Sequence, residues 1–381
     1  MAEKKVLHVV NISFVLPYYI GDQFEYFSDK GIRFYVACQP SDHLIQYAEE
    51  MKFKPFSVNI LREINVFQDL RAIYLLSRYI KKEKIDIVVS HTPKGGLIGM
   101  VSAYLSGINT RVYFRHGIMY ETSKGIKRLL LKSIERFTGF LATRVVCVSP
   151  SVLAFSAKEK LSAPYKNLLL NKGTCNGIDA VNKFNSNRIE VAVTSKLKSE
   201  YGILPEDRII GFVGRLVNDK GINELILAWK ELLKRHSNIK LLLVGPFEDR
   251  DSIPETVKTY IADTPSVIHT GLIEDIVPYY ALMNVFILPS YREGFPTSVL
   301  EASAMGLPVL TTAATGCRDS IIENHTGLFI GFDILDIVNK ISIYLNNPSL
   351  AFNHGKNGRD FVLENFQQNK IWEEIEEKIY K

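Results

Sequence analysis

Two glutamates, Glu293 and Glu301, stand eight positions apart in the stretch Arg292-Glu293-Gly294-Phe295-Pro296-Thr297-Ser298-Val299-Leu300-Glu301. The first follows an apolar run over residues 285–289, and the second falls in a predicted helix over 297–305. Gly294 and Pro296 break the chain between them. A strand, a tight loop and a helix start form an anion site, because the first-turn N–H groups have no partner within the helix. Carboxylates beside such a site suit neutral hydroxyls. The pattern therefore points to a ligand carrying both phosphate and hydroxyls, as a nucleotide sugar does. Two plainer readings fit the same residues. Ser298 and Glu301 match a capping box, and Glu293 matches a solvated loop carboxylate.

Upstream, Arg215 and Lys220 stand five positions apart after a predicted strand over 208–213. A guanidinium and an ammonium near a helix start can share the charge of a diphosphate, though an ordinary solvated pair has the same spacing. The segment is not the G-x-G-x-x-G fingerprint, which argues against a nicotinamide cofactor. Asp249-Arg250-Asp251 matches a D-x-D metal triplet and equally an ordinary polar loop. His116 sits in Arg115-His116-Gly117 at another predicted strand end, where a lone histidine is commonly a surface or capped residue.

These positions depend on alternating strands and helices. Apolar runs predict strands over 5–10, 32–38, 85–89, 111–114 and 144–148. Helices are predicted over 18–30, 67–83, 97–105 and 124–140. Periodicity fades between 172 and 207. It then resumes with strands over 208–213, 240–244, 267–269, 285–288 and 308–311. Helices are predicted there over 222–236, 253–262, 276–283 and 297–305, with three more to the end (334–345, 353–364, 369–380). Such alternation predicts doubly wound parallel sheets, whose ligands bind outside the carboxyl ends of strands. The expected organisation is a first domain over 1–185, a linker over 186–207, a second domain over 208–355 and C-terminal helices over 356–381 packing back on the first domain.

The 381 residues suit two domains, and 46% hydrophobic with 23% charged residues excludes a disordered chain. Four scattered cysteines give neither zinc spacing nor a bridge framework. No apolar run is long enough to span a bilayer, and the N-terminus does not read as a signal peptide. Residues 1–185 hold 26 Lys/Arg against 15 Asp/Glu (+11), and the rest 20 against 26 (−6). A basic first half suggests an anionic surface or substrate there; a nucleic-acid partner lacks a reading motif.

Taken as a set, Gly214-Arg215-Leu216, Lys220-Gly221, Pro289-Ser290, Glu293-Gly294-Phe295-Pro296, Glu301-Ala302 and Gly306-x-Pro308 resemble the family-4 glycosyltransferases of GT-B fold. The resemblance implies two Rossmann-like domains facing across a cleft and retention of anomeric configuration. It implies no divalent metal and no other cofactor, the nucleotide sugar being a substrate. Carried over, Arg215 and Lys220 neutralise the donor diphosphate, with Gly214 beside them. Glu293 holds sugar hydroxyls. Backbone groups of Gly294, Phe295, Pro296, Thr297, Ser298 and Val299 line sugar and phosphate. Glu301 takes the ribose, and the base rests near Gly245, Gly271 and Leu272. His116 contacts the donor sugar or stabilises developing charge, without acting as a base.

On the acceptor side, the aromatic-rich segment after the first strand and His91-Thr92-Pro93-Lys94-Gly95-Gly96 are similar to transferases that extend polyprenyl-diphosphate-linked glycans for bacterial surfaces. That similarity places Ser13, Phe14, Thr92, Lys94, Gly95 and Arg115 at the acceptor, with Lys94 on its diphosphate. The basic helix over 124–140 carries Lys124, Lys127, Arg128, Lys132 and Arg136 among apolar residues. It can lie on anionic lipid or be an ordinary surface helix. The expectation is a UDP-sugar transferase acting on a lipid-linked saccharide at the cytoplasmic face of the membrane. A sugar-nucleotide epimerase and a non-catalytic nucleotide-sugar-binding protein are the alternatives.

Overall fold

Thirteen strands, all paired in parallel, build two sheets in the computed structural model, which describes residues 4–63 and 65–381. The chain divides into two units, Met1–Gly177 with Gln368–Lys381, and Ile178–Gln367.

In the first unit the strands are β1 (Lys4–Val9), β2 (Ile32–Cys38), β3 (Lys54–Ser57), β4 (Ile87–Ser90), β5 (Thr110–Arg115), β6 (Arg144–Cys147) and β7 (Asn167–Leu168). Their order is β3-β2-β1-β4-β5-β6-β7, so the winding reverses between β1 and β4. Val6 faces Ile32's strand at Phe34 and β4 at Ile87. Helices cover both faces of such a sheet, so β4 reads Ile-Val-Val-Ser with every residue buried. Leu7, Val88, Tyr113, Val145, Leu76 and Ile98 meet in its core. The helix expected over 18–30 is two short ones, Leu16–Tyr19 and Gln23–Ser28. Helices Asp42–Met51 and Pro150–Lys158 were not anticipated; each starts at a serine, Ser41 or Ser149, whose hydroxyl accepts a first-turn N–H.

The second unit holds β8 (Arg208–Val213), β9 (Ile239–Val244), β10 (Val267–His269), β11 (Val285–Leu288), β12 (Val309–Thr312) and β13 (Gly327–Ile330). They run β10-β9-β8-β11-β12-β13, reversing between β8 and β11. The core packs Trp229, Phe212, Phe286, Leu243 and Leu300, and Trp229 also donates to Ser266 Oγ at 3.1 Å.

Two expected boundaries move. Residues 186–207 are not a linker: they form a short 3-10 turn (Ser186–Arg188) and a helix (Val191–Glu200) within the second unit. That helix buries no residue fully, so its sequence carries no apolar stripe to announce it. At the other end, the helix Pro348–Asn365 stays in the second unit, with Val362 and Phe366 in its core. Only 368–381 belongs to the first unit. There Trp372 donates to the Asn176 carbonyl at 3.0 Å, and Ile371 and Ile375 are buried.

Candidate functional site

At the carboxyl ends of β8 and β11, where the second sheet reverses, two loops are laced together by charge. Lys220 ends a 3-10 turn over Asn218–Lys220. The next residue, Gly221, has φ +71°, and a Cβ there would stand 2.1 Å from the Pro289 carbonyl oxygen. Glycine thus lets the β8 loop press against the end of β11. The contact brings the Lys220 ammonium into an ion pair with Glu293, whose Oε1 also accepts from Ser290 Oγ at 2.8 Å. Arg292 pairs with Asp219, and Tyr291 donates to Glu224 at 2.7 Å. A third loop fixes Glu293 from behind. Its N–H donates to the Thr315 carbonyl at 2.9 Å. Gly316, at φ +80°, sits where a Cβ would be 2.6 Å from the carbonyl oxygens of Glu293 and Gly294.

Arg215 follows Gly214 directly after β8, with its side chain 51% exposed and paired with Glu248. Gly245, after β9, lies against the Gly214 carbonyl and bridges to Gly271 after β10; His269 Nε2 donates to the Gly245 carbonyl at 2.8 Å. Leu272 is exposed beside them. These glycines therefore share one end of the sheet with Arg215.

Glu301 does not complete a capping box. The helix Thr297–Ala304 has Pro296 at its N-cap and no side-chain cap. Glu301 is buried and accepts from the Tyr280 hydroxyl at 2.7 Å. Burial pushes its carboxyl up, and the Tyr280 hydrogen bond opposes that shift. The first turn at Thr297 and Ser298 therefore has no side-chain cap for its N–H groups. Val299 is buried, and the Phe295 ring packs 5.3 Å from Phe366. Of the D-x-D triplet, Asp251 accepts from the Asp219 N–H at 2.7 Å and so shapes the Lys220 turn. Among the described residues no group of three or more His, Cys, Asp or Glu is placed to hold a metal.

The first unit presents a different group where its own sheet reverses. Thr92 caps the helix Pro93–Leu105, accepting from the Gly95 N–H at 3.2 Å. Lys94 pairs with Asp69. Gly95 and Gly96 allow that helix close to the sheet: a Cβ on Gly96 would reach 2.4 Å from the Tyr113 ring. Ser13 is buried with its hydroxyl 2.9 Å from Ser41 Oγ, while Phe14 is exposed and packs on Tyr18.

Arg115 corrects an expectation. It was placed at the acceptor, but its guanidinium is wholly buried. It donates to Glu135 at 3.2 Å and Ser156 at 3.0 Å, while Tyr113 donates to the same Glu135 at 2.9 Å. Arg115 is a core cation. The basic helix, observed as Gly125–Leu141, is also less charged outward than its sequence suggests. Arg128 and Lys132 pair with Glu159, and Arg136 donates to the Glu159 carbonyl at 2.9 Å.

His116, after β5, stacks on Tyr19 with ring centres 3.7 Å apart. Behind it runs a chain that sequence reading missed. His116 Nε2 lies 2.9 Å from His91 Nδ1, and His91 Nε2 lies 3.0 Å from His8 Nδ1. The available signal was His8 itself, a polar residue inside the apolar run of β1. Burial holds the imidazoles of His8 and His116 down to about 3, and lowers His91 too, with like charge on its two histidine neighbours adding to the effect.

Unfolded histidine titrates near 6.5. The folded pKa is depressed, so between roughly pH 3 and 6.5 the unfolded chain binds more protons and stability falls with falling pH. Buried His8 should cost about 2 kcal/mol between pH 7 and pH 5, and His91 adds a loss of the same sign. Urea unfolding across that range checks this: the His8→Gln variant should lose one histidine's share of the slope, and an unchanged slope would refute the assignment.

Comparisons with known proteins give the same fold and a glycosyltransferase relationship. The sequence profile of "Glycosyl transferases group 1" matches residues 193–361, and that of "Glycosyltransferase Family 4" matches 18–161. The capsular polysaccharide biosynthesis glycosyltransferase CapM of Staphylococcus aureus is 34% identical, over 99% of this chain and 97% of its own. A UDP-Gal:alpha-D-GlcNAc-diphosphoundecaprenol alpha-1,3-galactosyltransferase of Escherichia coli is 24% identical over 93% of this chain and 90% of its own. Among solved structures, Anabaena HepE in complex with UDP-glucose superposes with a TM-score of 0.81 at 16% identity, covering 99% of both chains. The residues legible in the sequence and the two doubly wound sheets thus agree with a relationship spanning nearly the whole chain, which belongs to the family-4 glycosyltransferases.

Proposed function

We propose that this glycosyltransferase moves a sugar, with retention of configuration, from a UDP-linked donor to a lipid-linked saccharide in the assembly of a surface polysaccharide. The observation that carries the reading is the meeting of Lys220 and Glu293 at the reversal point of the second sheet. An ammonium for the diphosphate and a carboxylate for sugar hydroxyls stand there in contact, with Arg215 at the end of the same strand.

As the bond from sugar to diphosphate breaks, negative charge grows on the leaving oxygens. Arg215 and Lys220 stabilise that charge, which is transition-state stabilisation rather than tighter substrate binding. The acceptor hydroxyl attacks the same face, and a leaving phosphate oxygen takes its proton. Glu293 orients the sugar, the first-turn N–H groups of Thr297 and Ser298 face it, and Glu301 takes the ribose. The cations supply the charge that a divalent metal supplies elsewhere, so no metal is needed. Lys94, at the capped start of helix Pro93–Leu105, serves the acceptor's diphosphate after exchanging Asp69 for it. The exposed Ile126, Leu129, Leu130, Phe137 and Phe140, with Lys124 and Lys127, rest on anionic lipid at the cytoplasmic membrane face. No helix among the described residues is long and apolar enough to cross a membrane. The activities named for the S. aureus and E. coli relatives support the polysaccharide setting and the diphospholipid acceptor.

Thermal unfolding with nucleotides tests the donor. A ligand at a hundredfold over its Kd stabilises by about 2.7 kcal/mol, a rise of several degrees in Tm. UDP should give it and ADP and GDP should not; no shift with UDP sinks the donor assignment. Chelator should leave transfer intact, and vesicle flotation at low salt checks the lipid contact. Conversion of a UDP-sugar without acceptor would instead establish an epimerase.

A further inference from the structure

The three-histidine chain has a direction, and its inner end sets it. The sequence His116, His91, His8 ends at Tyr380, whose hydroxyl oxygen lies 3.3 Å from His8 Nε2. His8, His91 and Tyr380 are all buried, and Tyr380 packs edge-on against Phe27. A neutral imidazole has one N–H and one lone pair. A row of three joined through both nitrogens can therefore take only two arrangements, all rings donating outward or all donating inward.

Burial keeps the Tyr380 phenol protonated by raising its pKa. Its O–H has one acceptor among the described residues, His8 Nε2. Leaving a buried donor unmade costs about 1–3 kcal/mol, so Tyr380 donates. His8 Nδ1–H must then donate to His91 Nε2, and His91 Nδ1–H to His116 Nε2. The one remaining ring proton is on His116 Nδ1, which takes no partner among the described residues. Tyr19, stacked at 3.7 Å and 11° to the ring, holds that imidazole's plane.

We propose that Tyr380, His8 and His91 are positioning residues that hold His116 in its Nδ1–H form, so that it meets a ligand as a hydrogen-bond donor. The catalytic meaning rests on the role the family resemblance gives His116, contact with the donor sugar. There a fixed N–H stabilises an oxygen that gains charge and cannot take a proton from the acceptor. The tautomer itself does not depend on that reading. It can be measured without substrate, so its failure and that of the proposed activity are distinguishable.

Nuclear magnetic resonance of the full chain, labelled with nitrogen-15 in histidine alone, distinguishes Nδ1–H from Nε2–H through ring proton–nitrogen couplings. At pH 7.5 the signals of His8, His91 and His116 should all be of the Nδ1–H form. His116, assigned by its loss in His116→Asn, should hold that form without exchange. In His91→Phe the ring still stacks on Phe114 but donates nothing. His116 should then shift toward the Nε2–H form that isolated imidazoles prefer. His91→Gln, whose amide again offers a donor, should restore Nδ1–H. An Nε2–H signal at His116 in the wild type overturns the proposal, as does a His91→Phe protein in which His116 is unchanged.

Discussion

Replacing Lys220 by alanine should lower turnover of a UDP-sugar by roughly 10²–10³-fold, the loss seen when a single donor to developing charge is removed. Two effects combine. The ammonium that would share the charge of the leaving diphosphate is gone. In addition, Glu293 loses its cation and keeps the Ser290 hydroxyl as its side-chain partner among the described residues. An unpaired carboxylate then faces an anionic ligand. The double variant Lys220→Ala with Glu293→Gln separates the two. If Lys220 served only to neutralise Glu293, the double variant is no slower than Glu293→Gln alone. If Lys220 acts on the diphosphate, the double variant is much slower than Glu293→Gln alone. Arg215→Ala should also be slow, by roughly 10²-fold, although its side chain is half exposed and paired with Glu248. Steady-state rates within tenfold of wild type in both single variants would remove these cations from the mechanism.

Arg115→Met should destabilise the protein by about 3–5 kcal/mol, because it strands Glu135 as a buried carboxylate without its cation. Among the described residues Glu135 would retain the Tyr113 hydroxyl. Adding Glu135→Leu should return much of that loss, since replacing a buried pair by apolar side chains is often close to neutral. Urea unfolding of the single and double variants measures both. The acceptor role first assigned to Arg115 makes the opposite forecast: normal stability and a raised acceptor KM. That outcome would restore it.

These two residues show what the sequence could and could not disclose. Lys220 and Glu293 are 73 positions apart, yet each sits just beyond an apolar β-branched strand, and parallel sheets gather such ends at one edge. Strands β2, β8, β10 and β11 were legible to the residue for the same reason: their runs are buried on both faces. Arg115 occupies an equivalent strand end but turns into the core, because Glu135 lies in a helix 20 residues on whose polar residues read as solvated. Nothing local separates the two cases. The helix Val191–Glu200 was missed because it buries little, and β3 because it is a short, half-exposed edge strand containing Pro55. The partners Glu248 and Asp219 escaped for want of any spacing that ties them to Arg215 and Arg292. The inner histidines were within reach only by aligning β1 with β4, where His8 pairs with Val89, two residues before His91.

The first unit is discontinuous in sequence, Met1–Gly177 being completed by Gln368–Lys381. A ribosome delivers the chain from the N-terminus, and domains ordinarily close in that order. Here the first unit cannot be completed in that order. All of Ile178–Gln367 emerges, and can close its sheet, before Trp372 and Tyr380 exist to fill the core that His8 and Asn176 wait beside. The nascent protein therefore carries an unfinished first unit through the synthesis of the second. The first unit is thus completed only after the whole of the second has been made.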